Sequence, residues 1–138
     1  MNPRICTVKH NPPESYGDCV RACIATLLDR DDVPHVFKGA DIRQEKNMMA
    51  AWAELRKWMA EHKKFLALFP AEDHVDFMLS NNPDVPYILW CHTSDGNDHT
   101  VLCKNGKVIH DPAWYRSEII GPLSTTGFYI IGIVGNLL

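Results

Sequence analysis

Cys19 lies in Tyr16-Gly17-Asp18-Cys19-Val20-Arg21-Ala22-Cys23-Ile24-Ala25-Thr26-Leu27-Leu28, where a glycine turn runs directly into an apolar helical pattern. A thiol in the first turn of a helix faces unpaired backbone N–H groups and the positive end of the helix dipole. Both favour thiolate over thiol, and thiolate is the nucleophile. Such a nucleophile needs a base that takes its proton and returns it to a leaving group, a task suited to imidazole near neutral pH. The base in turn needs an acceptor on its second nitrogen to fix its tautomer and steady the imidazolium. His99 follows a polar loop at the start of an apolar run, and Asp111 ends the next run. Between them lies Asn105-Gly106, a two-residue hairpin signal. Pairing around that turn brings residues near 99–100 opposite residues near 110–111. Whether His99 and Asp111 share a face depends on register, and a slip of one residue reverses the answer.

Each of these residues has a plainer reading. Cys19 fits a buried core thiol, and Asp111-Pro112 fits a turn. His92, on the preceding strand, is an alternative base, and His110 should point away from Asp111. Cys23, one turn after Cys19, reads as core packing, as do Cys91 and Cys103 inside apolar strands. Cys91-His92, Asp98-His99 and His110-Asp111 offer metal-ligand types without the paired spacing of a structural zinc site, so no metal and no cofactor is expected. His10, His35, His62 and His74 read as surface or loop residues. Trp52 reads as core, Trp58 as a groove wall, and Trp114-Tyr115 as a loop anchor or a substrate-contacting pair.

The elements that would position these groups follow from periodicity. Val20, Cys23, Ile24, Leu27 and Leu28 give a helix over 18–29, with Asp18 or Ser15 as N-cap and Asp31-Asp32-Val33-Pro34 as the break. A second helix fits 46–63, through Met49, Trp52, Leu55 and Met59. Residues 65–69 suggest a short strand and 72–80 a short helix. Strands are expected at 87–92, 99–103, 107–110 and 128–134. Residues 1–17 and 33–45 should be irregular. Helices first and an antiparallel meander second make an α+β layout, in one domain spanning 1–138.

Composition narrows the function. The formal net charge is −3, and no Lys/Arg block exceeds a pair. That disfavours a nucleic-acid partner held by phosphate contacts. No apolar run reaches membrane-spanning length, and Met1-Asn2-Pro3-Arg4 does not begin a signal peptide, so no membrane contact and a cytoplasmic location are expected. Five cysteines, an odd number without a Cys-x-x-Cys pair, point to reduced thiols.

Gly-Asp-Cys before an Ala/Leu-rich helix, His-x-Val on a strand, and a short hairpin ending in Asp-Pro together resemble the papain-like cysteine peptidases. The closest branch contains the peptidases that process double-glycine leaders of bacteriocins. Small stand-alone proteins of this kind occur in bacteria and phages. The resemblance implies a papain-like fold with an N-terminal nucleophile helix on an antiparallel sheet. It implies Cys19 as nucleophile, His99 as base and Asp111 as orienter, in a thiol hydrolase acting on a peptide or protein through a thioester. A papain-like binding protein without turnover, an accessory factor of a phage or bacterium, is the alternative. One departure stands out. Papain-like enzymes carry a Gln about six residues before the nucleophile as an oxyanion donor, whereas this chain reads Asn11-Pro12-Pro13-Glu14-Ser15-Tyr16. Asn11 is the nearest amide. Loss of one such donor costs on the order of 100–1000-fold in rate in related hydrolases.

Overall fold

A computed structural model describes residues 2–11, 15–38, 45–74, 81–114, 118–124 and 126–138. Within them the chain forms two helices, α1 (Cys19–Leu28) and α2 (Glu45–Glu61), and six strands. The strands are β1 (Lys64–Ala71), β2 (Tyr87–Thr93), β3 (Asp98–Lys104), β4 (Lys107–His110), β5 (Ile119–Gly121) and β6 (Tyr129–Asn136). All pairings are antiparallel, and the sheet runs β1-β6-β2-β3-β4, with β5 added to the end of β2. The α+β layout thus stands, but the meander is confined to β2, β3 and β4. The last strand inserts between β1 and β2. The expected helix over 72–80 is not continued at 72–74, and its remainder lies outside the described residues. The short β5 falls in a stretch that carries no strand signal.

Alternation along the strands builds two cores. Ile88 and Leu102 are fully buried against Cys23 and Ile24 of α1 and Ala51, Leu55 and Met59 of α2. The intervening residues Tyr87, Leu89, Val101 and Cys103 pack with Cys91 and Ile131 into a second cluster. Each fully buried aliphatic side chain here contributes about 1.5–3 kcal/mol relative to exposure. Helix α1 ends two residues before its expected break, at Asp29 in the left-handed conformation (φ 53°). The Arg30 N–H returns to the Ala25 carbonyl at 3.1 Å, closing the last turn.

The β3–β4 hairpin decides the geometry of the site. Asn105 and Gly106 both have positive φ (51° and 75°), as a two-residue primed turn requires. The ladder starts with Lys104 opposite Lys107 and Cys103 opposite Val108, then slips so that Leu102 faces His110. Ile109 is therefore an extra residue in β4, a bulge. β4 ends at His110, so Asp111 lies one residue past the last pair of the ladder. The expected pairing of 99–100 with 110–111 is thus displaced, because the bulge moves β4 by one residue.

Candidate active site

The N-terminal residues are held in place by a buried carboxylate. Asp18 occupies the N-cap position of α1, but its side chain does not cap the helix. It is 1% exposed. Its carboxylate accepts from the Thr7 and Val8 N–H groups (2.8 and 3.0 Å), the Thr7 hydroxyl (2.8 Å) and Arg21 Nε (2.7 Å). Burial works against the charged form, yet these donors hold its pKa below the usual carboxylate value. The same segment is tied elsewhere. The Arg4 N–H donates to Thr26 Oγ1 (2.9 Å), His110 Nε2 donates to the Arg4 carbonyl (2.7 Å), and the Cys6 N–H donates to the Pro112 carbonyl (2.8 Å). Residues 4–8 therefore bridge the start of α1 to the end of β4, ordered without regular secondary structure.

The structure brings Cys19, His99 and Asp111 together. Cys19 is the first residue of α1, and its side chain reaches the cleft although it is only 7% exposed. His99 Nε2 lies 2.7 Å from Asp111 Oδ1. The same oxygen accepts from the Ala113 N–H at 3.0 Å, so the turn at Asp111-Pro112 also fixes the carboxylate. With Nε2 committed to Asp111, Nδ1 is the nitrogen available to the thiol. Burial alone would lower the pKa of this ring. Its hydrogen bonds to Asp111 and to Cys19 overcome that penalty and push it up to about 10.

The other candidates fall elsewhere. His92 pairs with Asp98 (3.3 Å) and does not line the cleft. Cys23 is fully buried and its thiol lies well above its ordinary pKa, chiefly through burial. Cys91 and Cys103 are also buried, and desolvation pushes each to about 12. No three His, Cys, Asp or Glu side chains converge on a metal position among the described residues. Both tryptophans of α2 pack against the main core, as expected for Trp52, but the groove wall expected of Trp58 is supplied by Trp52. Trp52 lines the cleft, while Trp58 packs on His62 (4.1 Å between rings) beneath the Arg30 guanidinium. Trp114 is 52% exposed and does not line the cleft; Tyr115 lies outside the described residues.

Two residues overlooked in the sequence belong to this site. Cys6 Sγ lies 3.0 Å from Cys19 Sγ, and Cys6 is 2% exposed. The hydrogen bond to Cys19, with burial, raises the Cys6 thiol far above its usual pKa. His10 is the second. It is half-buried and lines the cleft beside Gly17 and Cys19. Its Nδ1 accepts the Gly17 N–H at 3.1 Å. In a neutral ring held this way, the proton resides on Nε2. Asn11, the nearest amide in sequence, instead forms a backbone bridge with Ser15 (3.1 Å in each direction). Neither Cys6 nor His10 sits in a periodic element, so no local pattern marks them.

The cleft in front of Cys19 encloses about 930 Å³. Its walls are mostly apolar, including Phe37, Trp52, Leu68, Trp90 and Ile130. Trp52 packs between Phe37, which it meets edge-on, and Trp90, which is tilted to it, with ring centroids 4.7 and 6.1 Å away. Phe37, Leu123, Ser124 and Thr126, from segments flanking the helices and strands, also line the cleft. No helix among the described residues is long and apolar enough to cross a membrane. No protein-family model, curated protein or solved structure matches this chain.

Proposed function

We propose that this protein is a papain-like thiol hydrolase, a peptidase or amidase that works through a covalent thioester. The supporting observation is the His99–Asp111 pair at 2.7 Å, set against a cysteine at the first position of a helix. Cys19 reacts as thiolate beside the His99 imidazolium, with Asp111 holding the ring by Nε2. The thiolate attacks an amide or ester carbonyl. His99 then gives its proton to the departing amine or alcohol, leaving Cys19 acylated. Water attacks the thioester while His99 takes its proton, and the thiol is regenerated.

The developing oxyanion needs donors at the start of α1. The Cys19 N–H is one. His10 takes the second position in this reading, since its ring lines the cleft beside Gly17 and Cys19, and a neutral ring that accepts the Gly17 N–H at Nδ1 carries its proton on Nε2. The aromatic and aliphatic walls favour a substrate with a bulky apolar side chain next to the scissile bond. A peptide tail or another extended protein segment suits the cleft, and no cofactor enters the chemistry. Reaction with a free-standing substrate also suits a cytoplasmic protein.

The test is iodoacetamide labelling of the native protein against pH, read at each cysteine by mass spectrometry. Cys19 should label selectively at mildly acidic pH, and His99→Ala should slow that labelling by about tenfold or more. Slow labelling that ignores His99 would remove the catalytic pair and leave a peptide-binding protein as the better account.

A further inference from the structure

The geometry points to a second chemistry at Cys19: together with Cys6 it forms a peroxide-sensitive dithiol that closes to a reversible disulfide. The inference rests on Cys19 being a reactive thiolate, and adds that its sulfur has a built-in partner. The two sulfurs are already 3.0 Å apart, so a bond of about 2.05 Å requires an approach of only about 1 Å. Both residues come from segments pinned by hydrogen bonds. Cys6 is fixed by its N–H to Pro112 and by the neighbouring Thr7 N–H to Asp18. Cys19 follows Asp18 directly. The carboxylate that anchors one segment thereby sets the distance between the two thiols.

The steps balance with a hydroperoxide as oxidant. The Cys19 thiolate attacks one peroxide oxygen, the O–O bond breaks, and hydroxide leaves, taking a proton to become water. Cys19 is now a sulfenic acid. The Cys6 sulfur attacks the Cys19 sulfur, the S–O bond breaks, and the departing hydroxide takes the Cys6 proton as a second water. Two thiols are oxidised and one peroxide is reduced. Cys6 is suited to the resolving role. It is buried beneath Cys19 and remains a protonated thiol, so the peroxide meets Cys19 first. The disulfide removes the nucleophile from the cleft, and a thiol reductant restores it. Cys23 plays no part, since its side chain is fully buried in the helix–sheet core.

The experiment treats the reduced, full-length protein with hydrogen peroxide, without substrate, then digests it under non-reducing conditions for mass spectrometry. The expected product is a Cys6–Cys19 linked peptide with a loss of two hydrogens from the intact mass. Dithiothreitol should return Cys19 to full iodoacetamide reactivity. In Cys6→Ser, the same peroxide should drive Cys19 on to sulfinic acid, which dithiothreitol does not reverse. Sulfinic acid on wild-type Cys19, or a disulfide to any other cysteine, would overturn the inference. The wild-type measurement decides the matter even if Cys6→Ser folds poorly. Failure here with His99-dependent labelling intact would leave the hydrolase reading standing, so the two are separable.

Discussion

His99 is under opposed forces: burial disfavours its charge, while Asp111 and Cys19 favour it and prevail. The sign of the pH dependence follows. Its pKa rises from 6.5 unfolded to about 10 folded. The associated stability is therefore complete below the unfolded value and is lost as pH rises through the folded one. Urea unfolding should show the protein weakening between those limits, by an amount on the order of a few kcal/mol. Asp111→Asn should flatten the profile and slow acylation by about 100-fold or more, as loss of a triad carboxylate does elsewhere. His10 invites a sharper test. Attack on a carbonyl develops an oxyanion, whereas alkylation by iodoacetamide does not. His10→Ala should slow acylation of Cys19 by a p-nitrophenyl ester by about 100-fold and leave alkylation nearly unchanged, with His10→Gln restoring part of the loss. At this scale Cys19, His99 and Asp111 are legible in the chain because each sits where a local pattern changes, at a helix start or a strand end. Cys6 and His10 are not, since what places them is the packing of an irregular segment.

The elements position these residues through two devices. The first is Asp18, which joins residues 7–8 to α1 by accepting three hydrogen bonds from them and a fourth from Arg21 of the helix. Asp18→Ala strands Arg21 and two backbone N–H groups in a part-buried setting. It should cost about 3–5 kcal/mol in urea unfolding and release Cys6 from Cys19, seen as faster labelling of Cys6. The second is the β4 bulge. Deleting Ile109 would restore an unbroken ladder and shift Asp111, which follows β4 directly, out of its place beside His99. The variant should keep its strand content by circular dichroism while losing the His99 effect on Cys19 labelling. Glycine has an element-level task at position 132. A Cβ there would lie 2.8 Å from the Trp90 ring, so β6 can pass behind that cleft wall only without a side chain. Both helices, the hairpin turn and most strands are readable from periodicity. The bulge is not, because Val108, Ile109 and His110 read as an ordinary alternating strand. Asp18 reads as an N-cap because three of its four hydrogen bonds come from residues 7–8, in a segment with no periodicity.

For the molecule as a whole, the least legible feature is the order of the sheet. Strand signals identify β6 but not its neighbours, and its place between β1 and β2 follows from long-range burial that no local window contains. Its insertion also unites the site. Leu68 of β1, Ile130 of β6 and Trp90 of β2 line one cleft only because β6 lies between the other two. The position of β6 has a temporal consequence as well. Translation delivers residues in order, and 129–136 emerge after every other strand. Until then β1 and the adjoining edge of β2 have no partner across the gap, and the hydrophobic faces on either side stay unjoined. The nascent chain is thus a thiol without a finished cleft, and it also presents open strand edges to its neighbours. The ribosome must have finished nearly all of this sequence before the proposed hydrolase site can form.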